Sequence, residues 1–210
     1  MIILSHRGYW KAAQEKNTLR AFERSFSMGF GTETDIRDYK GELVISHDIA
    51  DEKCIKVEDF FQIYSDFNES LPLALNIKAD GLQLKLKSLL AQFYIENYFV
   101  FDMSVPEGLI YLKHGLKAFT RESEYEVVPS FYEMAKGIWM DEFQHHWIDM
   151  TVLQKHIFNG KKVCVVSPDL HNRDYKKEWQ DYKQIEKEVE YKNIMICTDH
   201  PEEAKVFFDE

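Results

Sequence analysis

Two histidines and two carboxylates stand near the start of the chain, at spacings that predict acid–base chemistry. His6 and His47 each follow a short apolar run, and imidazole is the side chain that most readily carries protons near neutral pH. Glu33 and Asp35 stand two apart in a predicted strand, so their carboxylates point to the same side of a sheet. Carboxylates held together repel unless a cation lies between them or one binds a proton. We therefore expect a hard divalent ion, Mg²⁺ or Ca²⁺, at this pair.

Two cations and an amide join these four residues. Arg7 follows His6 directly, and its planar guanidinium matches the oxygens of a phosphate group. Asn76 and Lys78 end a later apolar run, where Lys78 supplies a second cation. Each residue alone has an ordinary structural explanation, since single histidines and isolated acid pairs commonly serve folding or face solvent. The combination favours a chemical role.

Short apolar runs alternate with helical patterns along the whole chain. The predicted strands are Ile2–Ser5, Thr32–Arg37, Leu43–Ser46, Pro72–Lys78, Tyr98–Asp102, Leu116–Thr120, Gly137–Asp141, Lys162–Ser167 and Asn193–Thr198. The predicted helices are Asn17–Met28 with Asn17 as N-cap, Val57–Phe67, Leu82–Tyr94, Val105–His114, Ser130–Ala135, Thr151–Asn159, Tyr175–Val189 and Pro201–Phe208. This alternation is typical of a parallel sheet covered by helices, and eight units predict one α/β domain over residues 1–210, a (βα)8 TIM barrel. The candidate residues fall at the carboxyl ends of strands, where such barrels place their reactive groups.

Composition excludes several classes of function. The formal net charge of −10 argues against nucleic-acid binding, which needs clustered Lys and Arg, but allows a small phosphate substrate. Cys54, Cys164 and Cys197 form no regular pattern, so we expect free thiols and a reducing, cytoplasmic setting. The apolar start of the chain is too short for a signal peptide, and no apolar stretch approaches ~20 residues, so no membrane span is expected.

Several segments together resemble the motifs of one enzyme family, the glycerophosphodiester phosphodiesterases. Ser5–Gly8, Asn17–Phe22, Glu33–Asp35 and Gly41–Asp48 match its H-R-G, N-T-L-x-A-F, E-x-D and G-x-x-V-x-x-H-D patterns in order and spacing. Ile196–Pro201 is similar to its closing I-T-D-x-P motif. Four motifs in order are far more specific than any one of them, and most of that specificity lies in the first quarter of the chain.

The resemblance implies a TIM barrel, one divalent metal ion and a small-molecule phosphodiester substrate, such as a glycerophosphodiester from lipid metabolism or a related polyol phosphodiester. The implied roles are acid and base for His6 and His47, metal ligands for Glu33 and Asp35, and phosphate contacts for Arg7 and Lys78. Which histidine is acid and which is base stays open, as do the identity of the metal and the oligomeric state.

The chain departs from the family pattern in three places. Lys16 replaces the Glu of E-N-T, Asn76 replaces the Glu of E-x-K, and residues 166–169 replace a W-T-V-N segment. With Asn76 as the third metal ligand, the site is less negative and metal affinity should be weaker. Asp102 or Asp141 are alternative sources of the missing carboxylate. Lys16 either turns toward the site or faces solvent.

Other interpretations remain open at this point. The aromatic residues Tyr9, Trp10, Trp139 and Phe143 either line a pocket at the barrel mouth or pack in the core. The chain could be a degenerate barrel that binds phosphorylated ligands without turnover, or a phospholipase-D-like lyase that forms a cyclic phosphate. A different metal-dependent barrel, such as a sugar isomerase, is disfavoured by the H-R-G opening.

Overall fold

Strands and helices alternate along the chain in a computed structural model, which describes residues 1–67, 70–189 and 194–209. The strands are β1 (Ile2–His6), β2 (Gly31–Tyr39), β3 (Glu42–Ile45), β4 (Leu73–Ile77), β5 (Tyr98–Phe101), β6 (Phe119–Ser123), β7 (Gly137–Asp141), β8 (Lys162–Val166) and β9 (Ile194–Thr198). The helices are α1 (Leu19–Ser27), α2 (Val57–Ser65), α3 (Gln83–Gln92), α4 (Val105–Lys113), α5 (Met150–Phe158), α6 (Lys176–Val189) and α7 (Pro201–Asp209).

Eight of these strands form a nearly closed parallel barrel. Their order around the sheet is β5-β4-β2-β1-β9-β8-β7-β6, and each neighbouring pair is parallel. The gap between β5 and β6 is bridged at one point, where the Val100 amide donates to the Lys117 carbonyl over 2.9 Å. The prediction of a TIM barrel is confirmed.

The remaining strand, β3, lies antiparallel to the end of β2 and forms a hairpin with it. Lys40 and Gly41 both have positive φ, 48° and 85°, as a two-residue hairpin turn with the favoured twist requires. The hairpin folds the chain back so that the Ser46 amide donates to the Asp35 carbonyl over 3.1 Å. His47 therefore lies next to the acidic strand.

The barrel interior is filled by side chains of one strand face. Its core includes Leu4, Phe101, Trp139 and Cys197, with the Phe101 and Trp139 rings stacked 4.0 Å apart. Trp139 is thus a core residue, as the packing alternative predicted. Since side chains alternate along a strand, the same face that buries these residues carries His6, Glu33, Asp35 and Asn76 nearer the carboxyl ends. On the far side of the barrel the same face carries Arg121 and Asp141, and Asp199 follows β9, next to β1.

Two larger apolar clusters lie between the sheet and the helices. One includes Phe22, Phe26, Phe60 and Tyr64 from α1 and α2. The other includes Trp179 from α6. Together they fix the helices against the outside of the barrel and leave its carboxyl end free. Among the described residues, none of the helices combines the length and apolar character that crossing a bilayer requires.

Two local predictions are wrong, and two extend past the described residues. Residues 130–134 form turns where a short helix was expected, because a six-residue segment gains too few hydrogen bonds to offset helix nucleation. Thr18, rather than Asn17, caps α1 by accepting the Ala21 amide. The predicted last strand starts at Asn193, and the charged sequence from Lys176, which we expect to be a solvated helix face, runs to Lys192. Both Asn193 and Lys192 lie outside the described part of the chain.

Candidate active site

His6 ends β1 and is held between two carboxylates. Its Nδ1 lies 2.7 Å from Asp199 Oδ1, and its Nε2 lies 3.9 Å from Glu33 Oε2. The side chain is 15% exposed. Burial lowers the pKa of His6 more than the hydrogen bond to Asp199 raises it, so the neutral ring is favoured. With its proton on Nδ1 facing Asp199, the ring presents Nε2 as a proton acceptor.

Asp35 is the carboxylate that both Arg7 and Lys78 contact. Its carboxylate is 1% exposed and lies 3.1 Å from Arg7 Nε and 3.4 Å from Lys78 Nζ. Asn17 Nδ2 donates to Asp35 Oδ2 over 2.8 Å. The residues predicted as phosphate contacts, Arg7 and Lys78, therefore converge on the predicted metal ligand Asp35. Asn17 has a left-handed backbone conformation, with φ of 58°, which excludes it from α1. In this conformation its side chain reaches Asp35.

Glu33 is buried beside Asp35, and both its burial and this neighbour disfavour its charged form. Its side chain is 2% exposed, and Oε2 accepts the Arg7 amide over 3.2 Å. Burial, and next the charge of Asp35, raise the pKa of Glu33 to about 8, against the opposing effect of Arg7 and Lys78. This is the response expected of two carboxylates with no ion between them.

The donor set at this point fits a hard divalent ion. Asn76 pairs in register with Asp35 on the neighbouring strand β4, and its buried Oδ1 has no hydrogen-bond partner. Glu33, Asp35 and Asn76 thus offer carboxylate and amide oxygens from adjacent strands, the ligand type that Mg²⁺ and Ca²⁺ prefer. An unpartnered buried carbonyl is costly unless a ligand satisfies it.

His47 lies at the outer edge of the site. It is 45% exposed, and Nδ1 lies 2.9 Å from Asp48 Oδ1. Arg37 donates to its backbone carbonyl over 3.2 Å. Ser46, whose amide contacts the Asp35 carbonyl, directly precedes His47 in the chain. The two histidines therefore lie at the same end of the barrel, but His6 is enclosed and His47 faces solvent.

Lys16 and Asp199 also lie in this region. Neither was predicted as a site residue from the sequence. Lys16 Nζ lies 3.3 Å from Asp199 Oδ2 and 4.4 Å from the centre of the Trp10 ring. Of the two orientations considered, Lys16 takes the one toward the site. Burial alone would raise the pKa of Asp199, but hydrogen bonds and charges from His6 and Lys16 lower it overall. The I-T-D-x-P motif was the one sequence signal for Asp199.

The alternative carboxylates have other partners. Asp102 contacts Arg121, and Asp141 lies 2.6 Å from His171 Nε2. The buried Asn76 Oδ1, by contrast, has no hydrogen-bond partner among the described residues.

A cleft of about 470 Å³ opens beside Asp199. Tyr9 and Trp10 line it together with the polar residues Lys11 and Glu202. Two of the four aromatic residues considered from sequence therefore face a cleft. Phe143 instead packs against the His171 ring, 4.7 Å away.

Comparison with solved structures links this barrel to one group of enzymes. A protein assigned as a glycerophosphodiester phosphodiesterase from Galdieria sulphuraria is 19% identical, with a TM-score of 0.79 over 100% of this chain and 98% of that one. The glycerophosphodiester phosphodiesterase of Thermotoga maritima is 18% identical, with a TM-score of 0.66 over 98% of both chains. A phosphodiesterase from Oleispira antarctica, solved with its product sn-glycerol-3-phosphate, is 14% identical, with a TM-score of 0.71 over 100% and 97%. No protein-family model and no curated protein sequence matches this chain.

The fold and the polar strand ends define a TIM barrel with an acidic, histidine-containing mouth. Its full-length likeness to glycerophosphodiester phosphodiesterase structures confirms that the resemblance in the motifs extends to the fold, in a chain of divergent sequence. A fold shared at such low identity does not by itself transfer an activity.

Proposed function

We propose that the protein is a metal-dependent phosphodiester hydrolase that cleaves a glycerophosphodiester or a related polyol phosphodiester, with His6 and His47 as acid and base. One observation carries the proposal: His6 Nε2 lies 3.9 Å from the buried Glu33 carboxylate. Next to Glu33, the Asp35 carboxylate contacts both Arg7 and Lys78. The close approach of a histidine, two carboxylates and two cations at the carboxyl end of the barrel, where such folds carry out chemistry, supports this proposal.

Glu33, Asp35 and Asn76 would hold the divalent ion. When bound there, the ion supplies a Lewis acid that polarises the phosphoryl group and offsets the negative charge of the transition state. Arg7 and Lys78 sit close enough to Asp35 to bind the remaining phosphate oxygens of a substrate at this position.

The two histidines have different surroundings, which suit different roles. Neutral His6, with Nδ1–H fixed by Asp199, accepts the proton of the attacking water or substrate hydroxyl at Nε2. The more exposed His47 gives a proton to the alkoxide as it leaves. When a substrate hydroxyl is the nucleophile, the other alcohol leaves with the proton from His47 and a cyclic phosphate forms. One water molecule then adds to this cyclic phosphate and opens it.

An assay with bis(p-nitrophenyl) phosphate and with glycerophosphodiesters, in Mg²⁺, Ca²⁺ or EDTA, tests the proposal. We expect turnover that requires an added divalent ion and stops in EDTA. Absence of turnover with every ion would favour a barrel that only binds phosphorylated ligands. A cyclic phosphate as the final product, detected by phosphorus NMR, would favour the lyase alternative.

The setting is part of the same proposal. The three cysteines are free thiols, two of them buried, which fits a reducing cytoplasm. Glycerophosphodiesters released from lipids are the small-molecule substrates we infer there.

Restoring a carboxylate at position 76 should strengthen metal binding. The Asn76→Asp variant adds a negative charge beside Asp35 with little change of shape, so half-maximal activity should need less Mg²⁺ than in the wild type. Metal titration of the phosphodiesterase rate measures this. Asn159→Asp, at an exposed helix end, is the matched control and should leave the titration unchanged. A titration of Asn76→Asp that equals the control removes residue 76 from the ligand set.

The proton on Glu33 should make the metal-free protein less stable as pH rises. The folded-state pKa of Glu33 is about 8, above the ordinary value of 4.5 that applies to the unfolded chain. Between these values the folded state binds more protons, so the free energy of unfolding falls with increasing pH. In Glu33→Gln, which cannot ionise, this part of the fall should disappear.

Urea unfolding in EDTA at pH 5 and pH 8 measures the Glu33 effect. Glu23→Gln on the exposed side of α1 is the control and should retain the wild-type pH dependence. Equal pH dependence in Glu33→Gln and wild type would contradict the assignment.

A further inference from the structure

A second group of acidic and imidazole side chains lies apart from Glu33 and Asp35, on the far side of the barrel. Glu142 follows β7, His146 lies in the loop after it, and Glu178 lies in the first turn of α6. Within the part of the chain that the structure describes, one ligand atom from each of these residues lies within 4.8 Å of the others.

Glu178 points an unsatisfied oxygen into this group. Its side chain is 10% exposed, and its Oε1 takes a hydrogen bond from Arg173 Nη2 over 2.5 Å. Its other oxygen, Oε2, is buried without a hydrogen-bond donor and lies 3.9 Å from His146 Nδ1. A buried carboxylate oxygen in this state is costly, and a bound cation would satisfy it.

The charges of the group are also unbalanced. Glu142, Glu178 and Asp181 contribute three carboxylates around the His146 ring, with Asp181 Oδ2 3.4 Å from Nε2. Arg173 contributes one permanent positive charge. The carboxylates around His146 therefore outnumber the permanent positive charge, and a bound cation would offset them.

The backbone and a tyrosine hold Glu142 in place. Its Oε1 accepts the amides of Trp147 and Ile148 over 2.8 and 2.7 Å, and its Oε2 accepts the Tyr182 hydroxyl over 2.8 Å. Such bonds to a carboxylate orient it as a ligand. His146 Nδ1 lies 3.0 Å from Glu142 Oε1, so the imidazole and this oriented carboxylate face each other.

We propose that Glu142, His146 and Glu178 bind a divalent transition-metal ion, with Zn²⁺ the best match, and that this ion ties the loop after β7 to α6. One imidazole nitrogen and two carboxylates form a mixed nitrogen–oxygen set that suits Zn²⁺ better than Mg²⁺ or Ca²⁺. The site is structural, because its ligands come from a loop and a helix that it would join. It does not depend on the proposed phosphodiesterase activity.

Binding of Zn²⁺ alone to the full-length, metal-stripped protein tests the proposal. We expect isothermal titration to show a Zn²⁺ site in the wild type and in the Glu33→Gln/Asp35→Asn double variant, together with a Zn²⁺-dependent rise in Tm. Co²⁺ as a spectroscopic probe should give the visible absorption of a protein-bound ion in both proteins.

The Glu178→Gln and His146→Gln variants should lose this site, while the neighbouring His145→Gln, at an exposed histidine, should keep it. Circular dichroism checks that each variant is folded. Retention of the site in folded Glu178→Gln and His146→Gln would overturn the proposal. So would absence of Zn²⁺ binding in the wild type, or loss of binding only in the double variant.

Discussion

Replacement of His6 by glutamine is expected to lower phosphodiester turnover by ~10²–10⁴-fold, the range that a general acid or base typically contributes. Glutamine at this position can keep a polar contact with Asp199, 2.7 Å from Nδ1, but cannot accept a proton from the nucleophile. The loss should therefore appear in kcat at saturating metal, with the fold unchanged. Steady-state kinetics and circular dichroism measure the two quantities.

The matched control is His200→Gln. His200 lies next to Asp199 in sequence and is exposed, with its ring stacked on Tyr175 at 5.2 Å. It has no role in the proposed chemistry, so its kcat should stay close to that of the wild type. Full activity in His6→Gln, with His200→Gln as active, would remove His6 from the mechanism.

Asp35→Asn is expected to damage stability and activity together. The change removes the negative charge that Arg7 and Lys78 share and leaves two largely buried cations uncompensated. Breaking a buried ion pair from one side costs ~3–5 kcal/mol. Because Arg7 and Lys78 are each about a fifth exposed, we expect the lower end, about 3 kcal/mol. Activity should fall as well, since the variant loses a charged metal ligand.

Asp38→Asn on the same strand serves as the control for Asp35→Asn. Asp38 is exposed beyond the barrel, at the hairpin with β3. Chemical denaturation should give a change for Asp38→Asn within about 0.5 kcal/mol of the wild type. An equally small change in the free energy of unfolding for Asp35→Asn would show that Asp35 does not stabilise the fold through Arg7 and Lys78.

Two departures from the family motifs both lower the negative charge of the site. Lys16 replaces an acid and lies 3.3 Å from Asp199, and Asn76 replaces another acid beside Asp35. Both make the mouth of the barrel less negative. For the proposed site we expect weaker metal binding than the family motif implies and a stronger attraction of a phosphodiester.

Sequence patterns predicted the barrel and the residues at its strand ends, because those features follow from short-range periodicity. Glu33 and Asp35 share a face since side chains alternate along a strand. The structure adds that the turn at Lys40-Gly41 makes a hairpin, which returns His47 toward β2. Parallel strands then bring His6 beside Glu33 through neighbouring register. These steps use contacts within a strand, a turn or one strand pair.

The tertiary structure alone decided the partners of these groups. The His6–Asp199 pair joins residues 193 positions apart, and Lys16 reaches Asp199 across a similar separation. The Asn17 side chain donates a hydrogen bond to Asp35 instead of capping α1, because its left-handed backbone turns the side chain inward. Distances of this kind depend on closure of the whole barrel.

By itself, the sequence determined a βα barrel with His6, Glu33, Asp35 and His47 near its carboxyl end. What only the folded chain decided is the pKa of His6 and of Glu33 and the existence of the Glu142–His146–Glu178 cluster. The physical reason is that local spacing sets which face of a strand a side chain takes. Burial and opposing charge, which set pKa values and create unsatisfied oxygens, arise only when distant segments pack together.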